Sequence, residues 1–278
     1  MLTGIDHIVI VVPDLDLATK NYQQLGFTVV AGGRHSSATH NALIGLADGS
    51  YLELIAFYEP SPEHRWWRSF ERGGGLTDVC LRTDNLRAAT IAFRRAGIDM
   101  SDPEPMGRTR PDGFELRWVL SVPLRISGAA REHESHNSDP SLLVPFLIED
   151  ETPREERVPR QIHHANGVTG IRSLTAAAGE LTAVRSVYST LLGQPGQEVE
   201  CPDLNAAGVS FRIGTSGLAF LSPKQAASAL AGYLEEVGSG IYSLLLASSG
   251  VDESGGPLAS TGSWYLGPNL PDQRHQDV

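Results

Sequence analysis

The chain is short of cysteine, of basic charge and of long apolar runs, and each shortage removes a class of protein. Two cysteines in 278 residues, Cys80 and Cys201, cannot build a disulfide framework, and Cys80 sits in an apolar run as a small core residue would. Lys and Arg number 22 against 33 Asp and Glu, a formal net charge of −11, which opposes nucleic-acid binding. The one basic run, "RWWRSFERGGG", is brief and interleaved with acid. No stretch of about 18 apolar residues is present to span a bilayer, and "MLTGIDHIVIVVPDLD" lacks the basic lead and cleavage pattern of a signal peptide. Nucleotide signatures are missing too: "GGG" has no Lys-Ser/Thr after it, and "GTSG" lacks nucleophile-elbow spacing. The expectation is a cytoplasmic protein with neither nucleic acid nor membrane as partner.

What is present is enough for a sizeable core. The chain is 41% hydrophobic, with 29 Gly and 17 Pro to punctuate it, and suits one large domain or two of ordinary size. Comparing the chain with itself reveals its organisation. "IDHIVIVV" (5–12) reads as a buried strand, and "DLDLATKNYQQLGF" as a helix capped by Asp14 or Asp16 and closed by Gly26. "TVVAGG", "HNALIGLAD" and "YLELIAF" follow as three strands, giving a β-α-β-β-β unit. A second copy opens at "GLTDVCLRTDNLRAATIAFRRAGI" (75–98), where Leu86 to Gly97 repeats the spacing of Leu15 to Gly26. "FELRWVLSVPL" and "LLVPFLIED" supply its later strands. A third opens at "GVTGIRSLTAAAGELTAVRSVYSTLLG" (167–193), and a fourth at "GIYSLLLASS" (240–249) lacks an obvious helix. "RISGAAREHESHNSDPS" reads as an insertion loop and "ETPREERVPRQIHHANG" as a linker, its His pair included. Two domains are expected, residues 1–158 and 159–278.

The tandem units, with "DHIVIVVPDLD", "THNALIGLADGSYLELIAF" and "RPDGFELRW", resemble the glyoxalase-like proteins of the vicinal-oxygen-chelate superfamily. The resemblance is strong over residues 5–150 and fades in the third and fourth copies. It implies an α+β fold in which paired units curve mixed sheets around a cleft, with helices outside. Members include glyoxalase I, extradiol dioxygenases, epimerases and metal-free antibiotic-binding proteins, so the fold leaves the reaction open.

A buried strand needs no imidazole, and His7 therefore draws notice; the resemblance supplies a reason, because metal ligands in this superfamily typically come from the first and fourth strands of a unit. Those positions carry His7 and Glu53 here. Alternation sets His7 with Val9 and Val11 on one face, and Glu53 with Tyr51 and Ile55. A buried carboxylate is costly unless paired or bound to a cation, so a His7–Glu53 ion pair without metal stays open as the alternative. An offset of 71 carries His7 to Asp78, and Glu149 is the candidate carboxylate on the second unit's fourth strand, where alignment on Ser50 and Ser141 would instead put Val144. His7, Glu53, Asp78 and Glu149 would suit Mn²⁺, Fe²⁺, Ni²⁺, Mg²⁺ or Zn²⁺. An offset of 166 carries His7 to Ser173 and Glu53 to Ala219, neither able to replace those ligands, so no metal site is expected in the second half.

Other side chains are expected near the cleft. His40 could serve as general acid/base and Asn41 could contact substrate; Arg108 or Arg110 could clamp a carboxylate, or sit exposed on a hairpin. Trp118 accompanies that hairpin, and Trp66 could shield a ligand or pack between the subunits of a homodimer. The preferred expectation is a metal-dependent lyase or isomerase acting on a small oxygenated compound, with Glu53 or Glu149 moving the proton. The alternative is a metal-free protein that sequesters a small molecule. Dioxygenase chemistry ranks below both because a second histidine is missing.

Overall fold

The computed structural model describes residues 2–35, 37–110, 112–124, 142–249 and 263–267, so the insertion expected at 125–141 lies outside the described residues. Strand β1 (Leu2–Val11) is β-branched and buried on both sides, as a central strand must be. Asp14 then caps α1 (Leu15–Gln24), accepting the Leu17 amide at 2.9 Å, and Gly26 turns the chain out of the helix at φ +84°. β2 (Val30–Arg34), β3 (Thr39–Gly45) and β4 (Tyr51–Phe57) complete the first unit.

After a one-turn helix α2 (Trp67–Glu71), the order repeats as β5 (Gly75–Thr83), α3 (Leu86–Arg95), β6 (Glu104–Thr109), β7 (Glu115–Ser121) and β8 (Phe146–Asp150). Asn85 caps α3, whose Leu86, Ala89, Thr90 and Phe93 form the buried stripe that helical spacing demands. β6 is not among the strands read from the sequence. Its "EPMGRT" is polar with little alternation, and it forms because β7 offers a free edge to pair with. The eight strands make one sheet, β2-β3-β4-β1-β5-β8-β7-β6. β1 pairs parallel with β4 and β5 with β8, while β1 and β5 meet antiparallel at the centre.

A short α4 (Arg154–Arg157) leads to the second half: β9 (Val168–Ala177), α5 (Leu181–Leu192), β10 (Gln197–Cys201), β11 (Ala206–Ile213), β12 (Ser216–Pro223), α6 (Ala229–Glu236), β13 (Gly240–Ser248) and β14 (Ser263–Leu266). Its sheet runs β10-β11-β12-β9-β13-β14, again with a parallel β9–β12 pair and an antiparallel β9–β13 pair. α6 was not expected; Ser228 caps it, and Leu230 packs on Ala177, Leu221 and Tyr242.

The halves do not keep separate cores. Ile8, Ile10 and Leu52 of the first sheet belong to one contiguous apolar cluster with Leu174 and Phe220 of the second sheet and Tyr188 of α5. Tyr188 also donates its hydroxyl to the Leu143 carbonyl at 2.7 Å. The opposite face of the eight-stranded sheet carries a smaller cluster that includes Val9, Val11, Ile55, Cys80 and Phe146. The architecture is α+β with a curved mixed sheet, as the sequence implied. Among the described residues no helix is long and apolar enough to cross a membrane.

A shared core has a measurable consequence. Phe220→Ala is expected to cost about 3–5 kcal/mol and to lower amide-exchange protection in β1 as well as in β12. Loss of protection restricted to the second sheet would show that the halves unfold independently.

Candidate functional site

The site begins with a defect in the central pairing. Ile5 and Ile8 both face the large core, although strict alternation would put residues three apart on opposite faces. A bulge resolves this: the β1–β5 register jumps between Ile5 and His7, leaving Asp6 without a partner. Asp6 and His7 thereby turn together toward the other face, with Asp6 Oδ1 2.7 Å from His7 Nδ1. β4 lies beside β1, and His7 Nε2 meets Glu53 Oε2 at 3.3 Å. Glu53 Oε1 accepts Asn41 Nδ2 at 2.6 Å, and Asn41 Oδ1 accepts the Gly33 amide at 2.9 Å. Asn41 has room because residue 32 is glycine: a Cβ there would lie 1.9 Å from its Oδ1.

Beneath this row sits an arginine from the segment read as a linker. Arg157 is buried, and its fork gives Nη1 to Asp6 Oδ1 at 3.1 Å and Nη2 to Asp6 Oδ2 at 3.0 Å. Nε binds Asp150 Oδ1 at 2.5 Å, and Nη1 binds the Tyr51 hydroxyl at 2.8 Å. Tyr51 in turn stacks on the His7 ring, centroids 4.6 Å apart. Arg154 adds a further contact to Asp6. Burial alone would raise the Asp6 pKa, but Arg157, His7 and Arg154 hold it well below the usual 3.8. Asp6 is therefore a carboxylate, and His7 Nδ1 is the donor to it. His7 Nε2 is left facing a carboxylate oxygen, a contact that needs a proton or a cation between the two atoms.

Above the row opens a cavity of about 230 Å³. His7, Glu53 and Asn41 form its polar floor, and Ile55, Met106, Trp118, Leu120, Phe146 and Ile148 supply apolar walls. His35, His64, Arg65 and Arg108 also line it. Burial lowers the pKa of His35, and burial with Arg65 nearby lowers that of His64 to about 4. Both imidazoles are uncharged at neutral pH.

The structure gathers some expected residues here and sends others elsewhere. His7, Glu53, Asn41, Arg108, Trp66 and Trp118 meet at the cavity. Glu149 does not: Ile148 faces the cleft, so its neighbour points to the outer side, where it accepts the Leu86 amide at 2.6 Å and caps α3. His40 also faces away, for the same alternation that sends Asn41 inward, and packs edge-on against Tyr58. Arg110 is held by Asp112 and Glu156, at 2.6 and 2.7 Å, outside the cavity. Asp78 lies on the cleft side, but its carboxylate is taken by Arg65 at 2.5 Å, Trp66 Nε1 at 2.8 Å and the Val79 amide.

Strand register explains why the second unit contributes so little. His7 pairs with Cys80 and Val9 with Asp78, as a two-fold relation with the offset of 71 requires. Val9 pairs with Glu53 and its counterpart Cys80 with Phe146, so a phenyl ring stands where the first unit has Glu53. In the second half Ser173 pairs with Gly217 and Thr175 with Ala219, which places Ser173 and Ala219 at the positions of His7 and Glu53. His35, His64, Arg65 and Arg157 went unread in the sequence. None had a signal of its own: Arg65 lay in the short basic run and Arg157 in the charged "REERVPR" read as linker.

The model of the family described as "Glyoxalase-like domain" matches residues 5–192. The chain belongs to that family. Solved structures agree on the fold of this glyoxalase-like protein. A hypothetical protein from Staphylococcus aureus is similar over 82% of this chain and 88% of its own, at 16% identity and a TM-score of 0.59. A mutant 4-hydroxymandelate synthase from Streptomyces coelicolor is similar over 87% and 70%, at 16% identity and a TM-score of 0.54. A variant methylmalonyl-CoA epimerase from the same organism aligns over 55% of this chain and all of its own, at 23% identity and a TM-score of 0.39. No curated protein matches the sequence.

Relatives of glyoxalase-like proteins are commonly metal-dependent, so the donors merit a test. Among the described residues, Asp6, His7 and Cys80 have potential ligand atoms within 4.8 Å of one another. Their surroundings oppose a cation. Both Asp6 oxygens are engaged by Arg157, Arg154 is in contact as well, and burial pushes the Cys80 thiol well above its ordinary value, keeping it protonated. The other grouping, His7 with Glu53, offers two ligands where a catalytic site ordinarily has three. The second unit replaces the missing donors with a phenyl ring and an arginine-bound Asp78. The residues present do not fit a dedicated metal centre.

Two outcomes follow from this arrangement. Glyoxalase-like protein purified without chelator should hold far less than one equivalent of Mn, Fe, Ni, Mg or Zn by elemental analysis; a full equivalent that disappears in His7→Ala and Glu53→Ala would restore the metal centre. Arg157→Met should cost about 3–5 kcal/mol, because it strands Asp6 as a buried charge. The stabilisation from Asp6 is complete above its unfolded value and fades as pH falls toward its depressed native value. Urea unfolding of Arg157→Met between about pH 5 and pH 2 should therefore lose stability less steeply than the parent.

Proposed function

We propose that the N-terminal cleft is the active site of a glyoxalase-type isomerase or lyase that acts on a small oxygenated compound through proton transfer by Glu53. The observation that carries this reading is the convergence of Glu53, His7 and Asn41 on the floor of a cavity with apolar walls and a cationic rim. A buried carboxylate held by two neighbours at the floor of a cavity is placed as a general base is. The C–H bond beside a substrate carbonyl breaks, its proton passes to the Glu53 carboxylate, and the electron pair moves onto the carbonyl oxygen as an enolate. Return of the proton to a neighbouring atom gives an isomer; loss of a group from the adjacent carbon gives the lyase outcome.

The superfamily contains metal-dependent isomerases, epimerases and dioxygenases. With the donor set described above, stabilisation of the enolate falls to Arg108, which lines the same cavity as Glu53. Asn41 keeps one Glu53 oxygen engaged so that the carboxylate cannot rotate away. The apolar walls favour a second reading, a protein that binds and sequesters a small molecule without turning it over.

Deuterium exchange separates the two. Hydroxyacetone, acetoin and 2,3-butanedione incubated with the protein in D₂O are expected to exchange the hydrogen beside the carbonyl, followed by NMR. Glu53→Gln should slow that exchange by about 10²–10⁴-fold. Binding without exchange across the panel, or exchange unaffected in Glu53→Gln, would leave the sequestering reading.

A further inference from the structure

We infer that the cleft accepts a small monocarboxylate with an apolar, ring-sized body, its carboxylate seated on Arg108. This inference rests on placing the functional site in the N-terminal cleft. It follows from the way charge is distributed around the cavity. Three arginines and one carboxylate line it, in a chain that is strongly acidic overall. Arg157 is neutralised by Asp6 and Asp150, and Arg65 by Asp78. Glu53 is held on both sides, by Asn41 Nδ2 at 2.6 Å and His7 Nε2 at 3.3 Å. Arg108 is left over. Among the described residues it forms no ion pair, and its one hydrogen bond runs from Nη2 to the Arg157 carbonyl at 3.4 Å. Every other arginine at or beside the cavity (Arg65, Arg110, Arg154, Arg157) holds a carboxylate.

A half-buried cation without an anion is costly, and a planar guanidinium has the fork that fits a carboxylate in two-point contact. Burial lowers the Arg108 pKa, and the attraction of Tyr51 and Glu53 across the cavity does not offset it. His35 and His64 are uncharged, so among the described residues Arg108 is the one cation lining the cavity that holds no ion pair. That count selects a monoanion over a phosphate dianion. Ile55, Met106, Leu120 and Ile148 add hydrocarbon to the walls, with Trp118 and Phe146 as flat surfaces, beside the neutral His35, His64, Ser37 and Thr39. Size limits the rest of the ligand: the cavity of about 230 Å³ exceeds the roughly 150 Å³ apolar cavity that admits benzene by little more than a short oxygenated tail.

Calorimetric titration of the full chain with 3-phenylpropanoate, 3-phenylpropanamide and phenyl phosphate tests this. The acid should bind at least about ten-fold tighter than its neutral amide, and tighter than the phosphate. Arg108→Met should bring the acid-to-amide ratio close to one. Arg108→Lys, which keeps the charge and loses the fork, should leave it between the two. If Arg108→Met does not fold, Arg108→Lys alone must still lower the ratio. Failure of the acid to bind, equal affinity for acid and amide, preference for the phosphate, or a ratio indifferent to both Arg108 variants would overturn the inference. The ratio is a binding measurement, independent of exchange. A preference for the acid without any deuterium exchange would retain the ligand class and remove the proton-transfer reading, while exchange without that preference would do the reverse.

Discussion

The buried contact between Arg157 and Asp6 is the constraint on which the rest of the site depends. Asp6 is an extra residue pushed into the sheet interior by a bulge, and a carboxylate in that position is tolerable only with a cation beside it. Arg157 meets that need and also binds Tyr51, so one guanidinium fixes both groups that hold the His7 ring, its hydrogen-bond partner and its stacking partner. His7 then presents Nε2 to Glu53, and Asn41 holds Glu53 from the other side. Removing any earlier member of this chain loosens every later one. The polar floor is accordingly a cooperative unit rather than a set of independent residues.

The arginine arrives from outside the repeating units. α4 lies between the last strand of the first sheet and the first strand of the second, in a connection that elsewhere could vary freely. Its burial, with the apolar cluster spanning both sheets, ties the C-terminal half to the integrity of the N-terminal cleft. That half retains the backbone pattern, including a bulge in its central antiparallel pair, yet carries Ser173 and Ala219 where the first unit carries His7 and Glu53. Register is imposed by strand pairing and hydrophobic alternation, and leaves the side chains of the cleft face free to differ. The same freedom put Phe146 opposite Glu53 in the second unit and turned a four-donor arrangement into a half-site closed by arginines.

Period and spacing made the architecture legible. β1, β4 and α1 fall where "HIVIVV", "YLELIAF" and the Asp14-capped helix placed them, and the offsets of 71 and 166 are reproduced by the pairing registers. The facing of His7 and Glu53 was legible too, because alternation within a strand is local. Glu149 and His40 show where that reading weakened. Alternation applied from Ile148 and from Asn41 would have turned both outward, but it needs a reference residue whose face is already known.

The sequence by itself determined the repeating β-α-β-β-β units with their caps and turns, because these depend on short-range spacing and burial of apolar faces, while the placing of His7 and Glu53 on adjacent strands came from the family resemblance. Tertiary structure alone decided what surrounds that pair. Arg157 reaches Asp6 across 151 residues of chain, Arg65 claims Asp78, and Arg108 is left facing the cavity with no carboxylate among the described residues. Charge neutralisation acts through space, and no pattern along the chain records which arginine will find which acid.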